Sequence, residues 1–505
     1  MSSTYGEPVL LSAQLRTEEA KHANVDLMRR AGRSAAEFLR VRSSPNDRVV
    51  LFAGPGNNGG DALACAAELV TMGYALTIVM LGDPKKFDED ARRAWQRLKE
   101  LATRADCPPG RGSASRIALA YEIPNNLSQA TWIIDGLFGI GLKRPLHVGY
   151  SDAAHAIADA RAKGAKVLAL DVPSGIDADT GALVGDIAVA ADHTLTFIAM
   201  KPGVLTGAAL DYVGELHLDS LGLEVEAYSA RTVNAAWVQH FERPRSTTAH
   251  KGTQGTLAII GGANGMLGAA LLASRAAVRM GAGKVKVGWL AEPYPQVDPL
   301  MPEVMMRAAT QLIDAGADTD TDAIVIGCGL GITGAAVRVL ASVLKRDMPL
   351  VIDADALNLI AESAELATLC QQRKKRNAAT IITPHPAEAA RLLGASTASV
   401  QADRLRTVRD LANGYSCVAV LKGAGTVIND GDATTINTSG NPLLATAGTG
   451  DVLAGMIGAL LAQGYDAAVA AQLGVFLHGA AADALKSRGI KRAVAADIII
   501  ELTTI

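Results

Sequence analysis

The stretch RVVLFAGPGNNGGDALACAAELVTMGYALTIVMLGD, residues 48–83, decides the fold. An apolar, β-rich run enters a glycine-rich loop, a helical run of small and apolar residues follows, and a second apolar run ends the unit. Strand, loop, helix and strand in that order make a crossover between parallel strands. Runs of the same kind recur at TWIIDGLFG (131–139), KVLALDVPSG (166–175) and HTLTFIAM (193–200). The first part of the chain therefore reads as an α/β domain around a mostly parallel sheet. Upstream, Arg16 to Val41 reads as one helical pattern, with Val25, Met28, Ala31 and Ala35 three or four apart.

Beyond Leu221 the alternation weakens, and FERPRSTTAHKGTQG (241–255) is polar and turn-rich. A second α/β series then begins: TLAIIGGANG (256–265), GKVKVGW (283–289), AIVIGCGLG (323–331), LVIDADALN (350–358), TIITPHPAE (380–388) and CVAVLKGAGTVI (417–428). A chain of 505 residues is too long for one ordinary core. Two domains are expected, 1–225 and 226–505, with no residue-level repeat relating them.

A net charge of −3 argues against nucleic acid or an anionic membrane as a partner for the whole surface. No uninterrupted apolar run reaches the roughly 18 residues of a membrane span, and the start lacks a basic segment followed by an apolar one. A cytoplasmic protein is expected. Its five cysteines, Cys65, Cys107, Cys328, Cys370 and Cys417, have no metal-type spacing. Cys65, Cys328 and Cys417 read as buried thiols. The basic cluster QQRKKRN (371–377) reads as a solvated helix end or loop.

In the first part, Gly54, Gly56 and Gly59 satisfy G-x-G-x-x-G between a strand and a helix, the setting of a dinucleotide fingerprint. Asp83, which can take a ribose, lies 29 residues beyond Gly54, farther than the roughly 20 that the fingerprint expects. Paired Asn57 and Asn58 with Asp61 add side-chain oxygens that a dinucleotide site does not need. Two later strand ends also carry polar groups: Asp135 with Lys143 and Arg144, and Asp171 with Ser174. Each loop alone is explained by turn chemistry. Three in register suit a monovalent cation beside an anionic ligand.

In the second part, NPLLATAGTGDVLAGMIGALL (441–461) places Gly448, Thr449 and Gly450 before Asp451 and a helical run. Backbone N–H groups at a helix start form an anion hole, and a carboxylate beside it can act as a base. The alternative is that Asp451 merely caps the helix. LKGAGTVI, with Lys422, Gly423, Ala424, Gly425 and Thr426, suits a nucleotide's phosphates, although no Walker A pattern occurs. His385, Glu388 and Asp353 sit at neighbouring strand ends. From these residues, two readings stay open: a nicotinamide-dependent oxidoreductase fused to a small-molecule kinase, and a nucleotide-sensing scaffold without turnover.

GPGNNGGDAL, DGLFGIGLKRP and DVPSGIDADTG, preceded by LMRRAG, resemble the YjeF N-terminal family, epimerases of hydrated NADH and NADPH, over most of residues 10–220. The resemblance implies a Rossmann-like three-layer domain. It further implies that Asn57, Asn58, Gly59, Gly60 and Asp61 bind the hydrated dinucleotide together with Gly139, Ile140, Gly141, Leu142, Lys143, Arg144, Pro145 and Asp171. Asn58, Asp135 and Ser174 would hold potassium, and Asp171 would be the acid/base beside nicotinamide C6. Ala62 and Ile140 depart from the family's usual Gly and Thr.

HKGTQGTLAIIGGANG, PEVM, IDADALN, TPHPAE, LKGAGTVI and NPLLATAGTGDVLAG are similar to the ribokinase-like YjeF C-terminal family over about 240–500. These are the ADP- or ATP-dependent dehydratases of hydrated NAD(P)H. The resemblance implies a ribokinase-like α/β domain that phosphorylates the C6 hydroxyl and then expels phosphate. Asp451 would deprotonate that hydroxyl, with the N–H groups of Ala447 to Gly450 stabilising the moving phosphoryl group. Lys422 to Thr426 and Gly450 would bind the adenine nucleotide, with Mg2+ present, and Ala269, Gly329, His385 and Asp451 would face the hydrated dinucleotide. The expected partners are these small molecules, in a homo-oligomer without nucleic acid or membrane.

Overall fold

The computed structural model describes residues 6–103, 117–226, 228–243, 246–313 and 320–504; Cys107 lies outside them. The chain divides into two compact units, Pro8–Ser229 and Met1–Glu7 with Ala230–Ile505. Glu7 is held in the latter by its N–H, which donates to Thr232 Oγ1 at 2.8 Å, and by its carbonyl, which accepts from Thr232 N at 2.9 Å.

In the unit Pro8–Ser229, seven parallel strands run in the spatial order Ile117–Ala120, Leu76–Met80, Val49–Ala53, Trp132–Gly136, Lys166–Leu170, His193–Phe197 and Glu215–Asp219. Chain order reverses between Val49–Ala53 and Trp132–Gly136. An open sheet has its ligand crevice at such a reversal, beyond the strands' carboxyl ends. The glycine loop ends there, and Gly54 lies so close to Leu137 that a Cβ on it would overlap that residue's carbonyl. The five inner strands are buried on both faces, with apolar clusters above and below the sheet, while the edge strands Ile117–Ala120 and Glu215–Asp219 are partly exposed. This is the three-layer α/β arrangement.

The helical pattern read over Arg16–Val41 is two helices, Ser12–Lys21 and Leu27–Arg40. The break comes where the Asp26 carboxylate accepts from Arg29 N at 3.0 Å and so starts a new helix. Periodicity continues through this break, which is why it does not show in the apolar spacing.

The second unit's sheet runs Ala230–Val233, Thr434–Asn437, Val427–Asn429, Val418–Leu421, Thr380–Ile382, Leu350–Ile352, Ala323–Ile326, Thr256–Gly261, Lys284–Trp289 and Met305–Ala308. It is parallel except where Val427–Asn429 reverses against both neighbours. Helix Thr449–Ala462 is buried almost all round, as its uniformly small and apolar residues require. Gly455 and Gly458 permit that burial, since a Cβ would strike the Ala273 carbonyl at one and Val325 at the other. Helix Ala467–Ser487 is, among the described residues, the one helix long and apolar enough to cross a membrane. It packs within this unit, with Gly474 against Ile457.

One basic residue departs from its expected solvation. Arg373 of the QQRKKRN cluster is fully buried. Its guanidinium donates to Thr380 Oγ1 at 2.7 Å and to the carbonyls of Met348 (2.7 Å), Ala379 (3.1 Å) and Arg346. Composition alone does not separate this arginine from the solvated Lys374 beside it. Arg373→Met is expected to destabilise the fold by about 3 kcal/mol, because charged hydrogen bonds are lost and buried carbonyls are left unpaired. Denaturant titration measures the shift.

Candidate active sites

In the first unit, the helix Asn57–Thr71 starts within the glycine loop, so the N–H groups of Asn57, Asn58 and Gly59 in its first turn point outward to meet an anion, while Gly60 N already donates to the Gly56 carbonyl at 3.2 Å. Asn58 is buried, and neither Oδ1 nor Nδ2 has a hydrogen-bond partner among the described residues. A buried amide without partners costs about 1–3 kcal/mol per orphaned group, so this side chain is built for a ligand. Asp135 is fully buried at the end of its strand. Its Oδ1 accepts from the Ser174 hydroxyl at 2.7 Å and Leu137 N at 3.1 Å, and its Oδ2 from Ser174 N at 2.9 Å. Burial pushes its carboxyl above the usual range, against the pull of those bonds.

Asp171 stands at φ +63°, a strained conformation for a non-glycine residue. Its Oδ1 receives the ammonium of Lys201, with Thr196 Oγ1 at 3.3 Å and Phe197 N at 3.4 Å. Oδ2 instead faces Gly139, where a Cβ would lie 3.3 Å from it and 3.5 Å from Asn58 Cβ. Asn58, Gly139 and Asp171 thus lie against one another. Burial, then the Asp171 charge, push both Glu19 and Asp61 above the usual carboxyl range.

The remaining residues of the 139–145 loop are more exposed. Lys143 pairs with Asp177 at 3.0 Å and Asp179 at 3.2 Å, while Arg144 and Pro145 are exposed and Leu142 is buried. Asp83 accepts from Lys85 N at 3.0 Å and caps its own short turn. Sequence reading missed Lys201, which is wholly buried and also donates to Thr196 Oγ1 at 2.9 Å and the Phe197 carbonyl at 2.7 Å. Its only signal was a lysine directly after the apolar run HTLTFIAM.

In the second unit, helix Thr449–Ala462 begins with Gly448 as its N-cap at φ +87°. Asp451 is the helix's third residue and not its cap, which removes the bland reading of that carboxylate. Ligand atoms of Asp451, Asp353 and Cys328 all lie within 4.8 Å of one another. Burial, then the Asp353 charge, raise Asp451 to about 6. The Cys328 thiol is pushed up by burial and Asp451.

Lys422 donates to Asp353 Oδ1 at 2.6 Å, and Thr383 Oγ1 donates to the same oxygen at 2.8 Å. Burial would lower the Lys422 ammonium, but Asp353 and Glu388 outweigh it and raise it. A Cβ on Gly450 would lie 3.4 Å from Lys422 Nζ, so the LKGAGTVI and GTGD segments meet. Within the former, Gly423 and Ala424 are exposed and Gly425 and Thr426 half-buried, with Thr426 Oγ1 donating to the Gly423 carbonyl at 3.0 Å.

Gly329 and Ala269 also adjoin, the Ala269 Cβ lying 3.1 Å from a Cβ built on Gly329. His385 caps helix Pro386–Leu393. Its Nδ1 accepts from Ala387 N at 3.1 Å, and its Nε2 lies 3.2 Å from Glu388 Oε1. Burial raises Glu388 to about 7. His478, another residue the sequence reading passed over, is buried with Nε2 unpartnered among the described residues, and burial lowers it to about 4.

The family model described as YjeF-related protein N-terminus matches residues 24–203, and that described as NAD(P)H-hydrate dehydratase matches residues 257–504. The bifunctional NAD(P)H-hydrate repair enzyme Nnr of Escherichia coli is 38% identical over 492 residues, covering 95% of this chain and 89% of that protein. Its counterpart in Coxiella burnetii is 39% identical over 485 residues, covering 95% and 94%. A crystal structure of ADP/ATP-dependent NAD(P)H-hydrate dehydratase from Bacillus subtilis, co-crystallized with ATP/Mg2+, is 32% identical. It covers 55% of this chain and 97% of its own, with a TM-score of 0.49. The two curated relatives, 38% and 39% identical and each covering 95% of this chain, place the chain in the family of bifunctional NAD(P)H-hydrate repair enzymes.

Proposed function

We propose that the first unit interconverts the R and S forms of hydrated NADH and NADPH, and that the second dehydrates the S form at the expense of ADP or ATP. The observation that carries the second step is Asp451, raised toward neutrality in the first turn of a helix whose start adjoins Lys422. A carboxylate of that basicity takes the proton of the C6 hydroxyl as the hydroxyl oxygen attacks the terminal phosphoryl group. The N–H groups of Ala447 to Gly450 and the Lys422 ammonium meet the charge that develops on it. Phosphate then leaves C6, the ring nitrogen's electron pair assists, and loss of the C5 proton restores the C5–C6 double bond. Lys422 to Thr426 and Gly450 bind the nucleotide, while Ala269, Gly329 and His385 face the hydrated ring. Asp353 and Asp451 offer oxygens to Mg2+, which supplies charge neutralisation on the phosphates.

In the first unit, Asn57 to Asp61 and Gly139 to Pro145 bind the dinucleotide. Asp171 moves a proton beside C6 through Oδ2, with Lys201 fixing the carboxylate by its other oxygen. Asn58, Asp135 and Ser174 would hold potassium, which would supply positive charge for an anionic ligand, and the orphaned Asn58 Oδ1 supports this assignment. The oxidoreductase alternative loses its ribose ligand, since Asp83 is engaged as a cap.

Incubation with hydrated NADH and either nucleotide is expected to restore absorbance of the reduced ring and consume both epimers; no recovery with ADP or ATP would sink the reading. Asp451→Ala should cut recovery by about 10²–10⁴-fold and spare epimerisation. Asp171→Ala should confine rapid consumption to the S form. Lys201→Met should lower kcat of epimerisation by about 10²-fold with little change in KM, the mark of a misplaced reacting group. Dehydration should decline as pH falls through about 6, where Asp451 takes up its proton. Asp353→Asn removes the charge that raises Asp451, so this limb should move to lower pH; a limb that stays put assigns it to another group.

A further inference from the structure

Away from both sites, parallel strand pairing brings three ligand-type side chains onto one face of the first unit's sheet. His193 registers opposite Glu215, and Leu195 opposite His217. Registered parallel partners share a face, as do residues two apart on one strand. His193 Nδ1 lies 3.3 Å from Glu215 Oε2, His217 Nε2 lies 3.5 Å from Glu215 Oε1, and the two ring nitrogens are 3.4 Å apart.

When protonated, each of these ring nitrogens has a Glu215 oxygen of its own to meet; in the tautomers that leave both unprotonated, the cluster turns its lone pairs inward, and a cation between them satisfies all three groups together. The 3.4 Å between the two ring nitrogens suits one ion, because ligands about 2.0–2.1 Å from a tetrahedral ion stand about 3.3–3.4 Å from each other.

The surroundings hold the rings for such a role. Phe38 lies edge-on to both imidazoles, at 5.5 and 4.8 Å between centroids, and Trp132 stacks on His193 at 6.0 Å. The two histidine side chains are 19% and 21% exposed and Glu215 is 64% exposed, so solvent can reach a fourth coordination position. His217 also lines a surface groove of about 570 Å³ with Arg33, Ser34 and Asp219.

We propose that His193, Glu215 and His217 form a binding site for one divalent first-row transition ion of the zinc class. His193 opens its strand, whereas Asp171 lies beside the strand's far end, bonded by Phe197 N. Four residues of strand, about 13 Å, separate them. The ion therefore ties together the last two strands, under Phe38 of helix Leu27–Arg40, and takes no part in the chemistry at Asp171.

The full chain, stripped with a chelator and desalted, is titrated with Co2+ alone while its visible ligand-field absorption is followed, and then with Zn2+ as competitor. One Co2+ per chain with the intense bands of a tetrahedral site is expected, displaced by Zn2+. Glu215→Gln, at an exposed position, should weaken Co2+ binding by at least about tenfold, and the His193→Gln/His217→Gln pair should abolish it. Zn2+ should raise the unfolding temperature of the parent chain but not of the double variant. Asp451→Ala controls for the Cys328, Asp353 and Asp451 cluster and should leave the bands intact. Unchanged bands in Glu215→Gln and the double variant, or their loss only in Asp451→Ala, would overturn the proposal.

Discussion

A lysine buried against an aspartate organises the polar centre of each unit. An isolated ammonium in a protein interior costs several kcal/mol, so it persists only with a partner and further acceptors. Lys201 has Asp171, Thr196 and the Phe197 carbonyl around it, and Lys422 has Asp353 with Glu388 3.9 Å away. The same device leads to different carboxylates. In the first unit the lysine grips the aspartate that faces Gly139, which fixes one oxygen and leaves the other free. In the second it grips Asp353, and Asp451 beside that pair is the group left with a raised affinity for protons.

Both centres depend on backbones packed closer than side chains allow. Gly54 meets the Leu137 carbonyl, which draws the first glycine loop onto the neighbouring strand end. Gly455 and Gly458 let helix Thr449–Ala462 settle against Ala273 and Val325, and that depth carries Asp451 down to Cys328 and Asp353. A larger residue at any of these points would push these backbones apart.

The inner parallel strands were legible because strands buried on both faces read as unbroken apolar runs, and polar strand ends marked Asp135, Asp171, Asp353 and Lys422; partly exposed edge strands such as Ile117–Ala120 and Glu215–Asp219 give no such run. Other features lay outside what local pattern encodes. The break at Asp26 leaves apolar spacing intact on either side. Arg373 is held by carbonyls of Arg346, Met348 and Ala379, from two other stretches of chain, so its burial is a tertiary fact. Lys201 follows a strand as many solvated lysines do, and only the fold turns it inward to Asp171. The triangle of His193, Glu215 and His217 is likewise made by strand register, since a spacing of 24 residues between the histidines has no metal-site signature.

The two clusters of ligand-type residues differ in what they can hold. At Cys328, Asp353 and Asp451, a lysine already sits on Asp353, and the thiol is pushed far toward its protonated form, which is a poor metal ligand. Little is left there for a soft ion. A hard ion that keeps several waters and arrives with phosphate oxygens needs only one or two carboxylates, and those the site provides. At His193, Glu215 and His217 the reverse holds, because two imidazoles and one carboxylate, with no bonded cation among them, are the donor set that borderline divalent ions take. Donor chemistry thus assigns magnesium's class to the nucleotide site and zinc's class to the sheet face of the other unit.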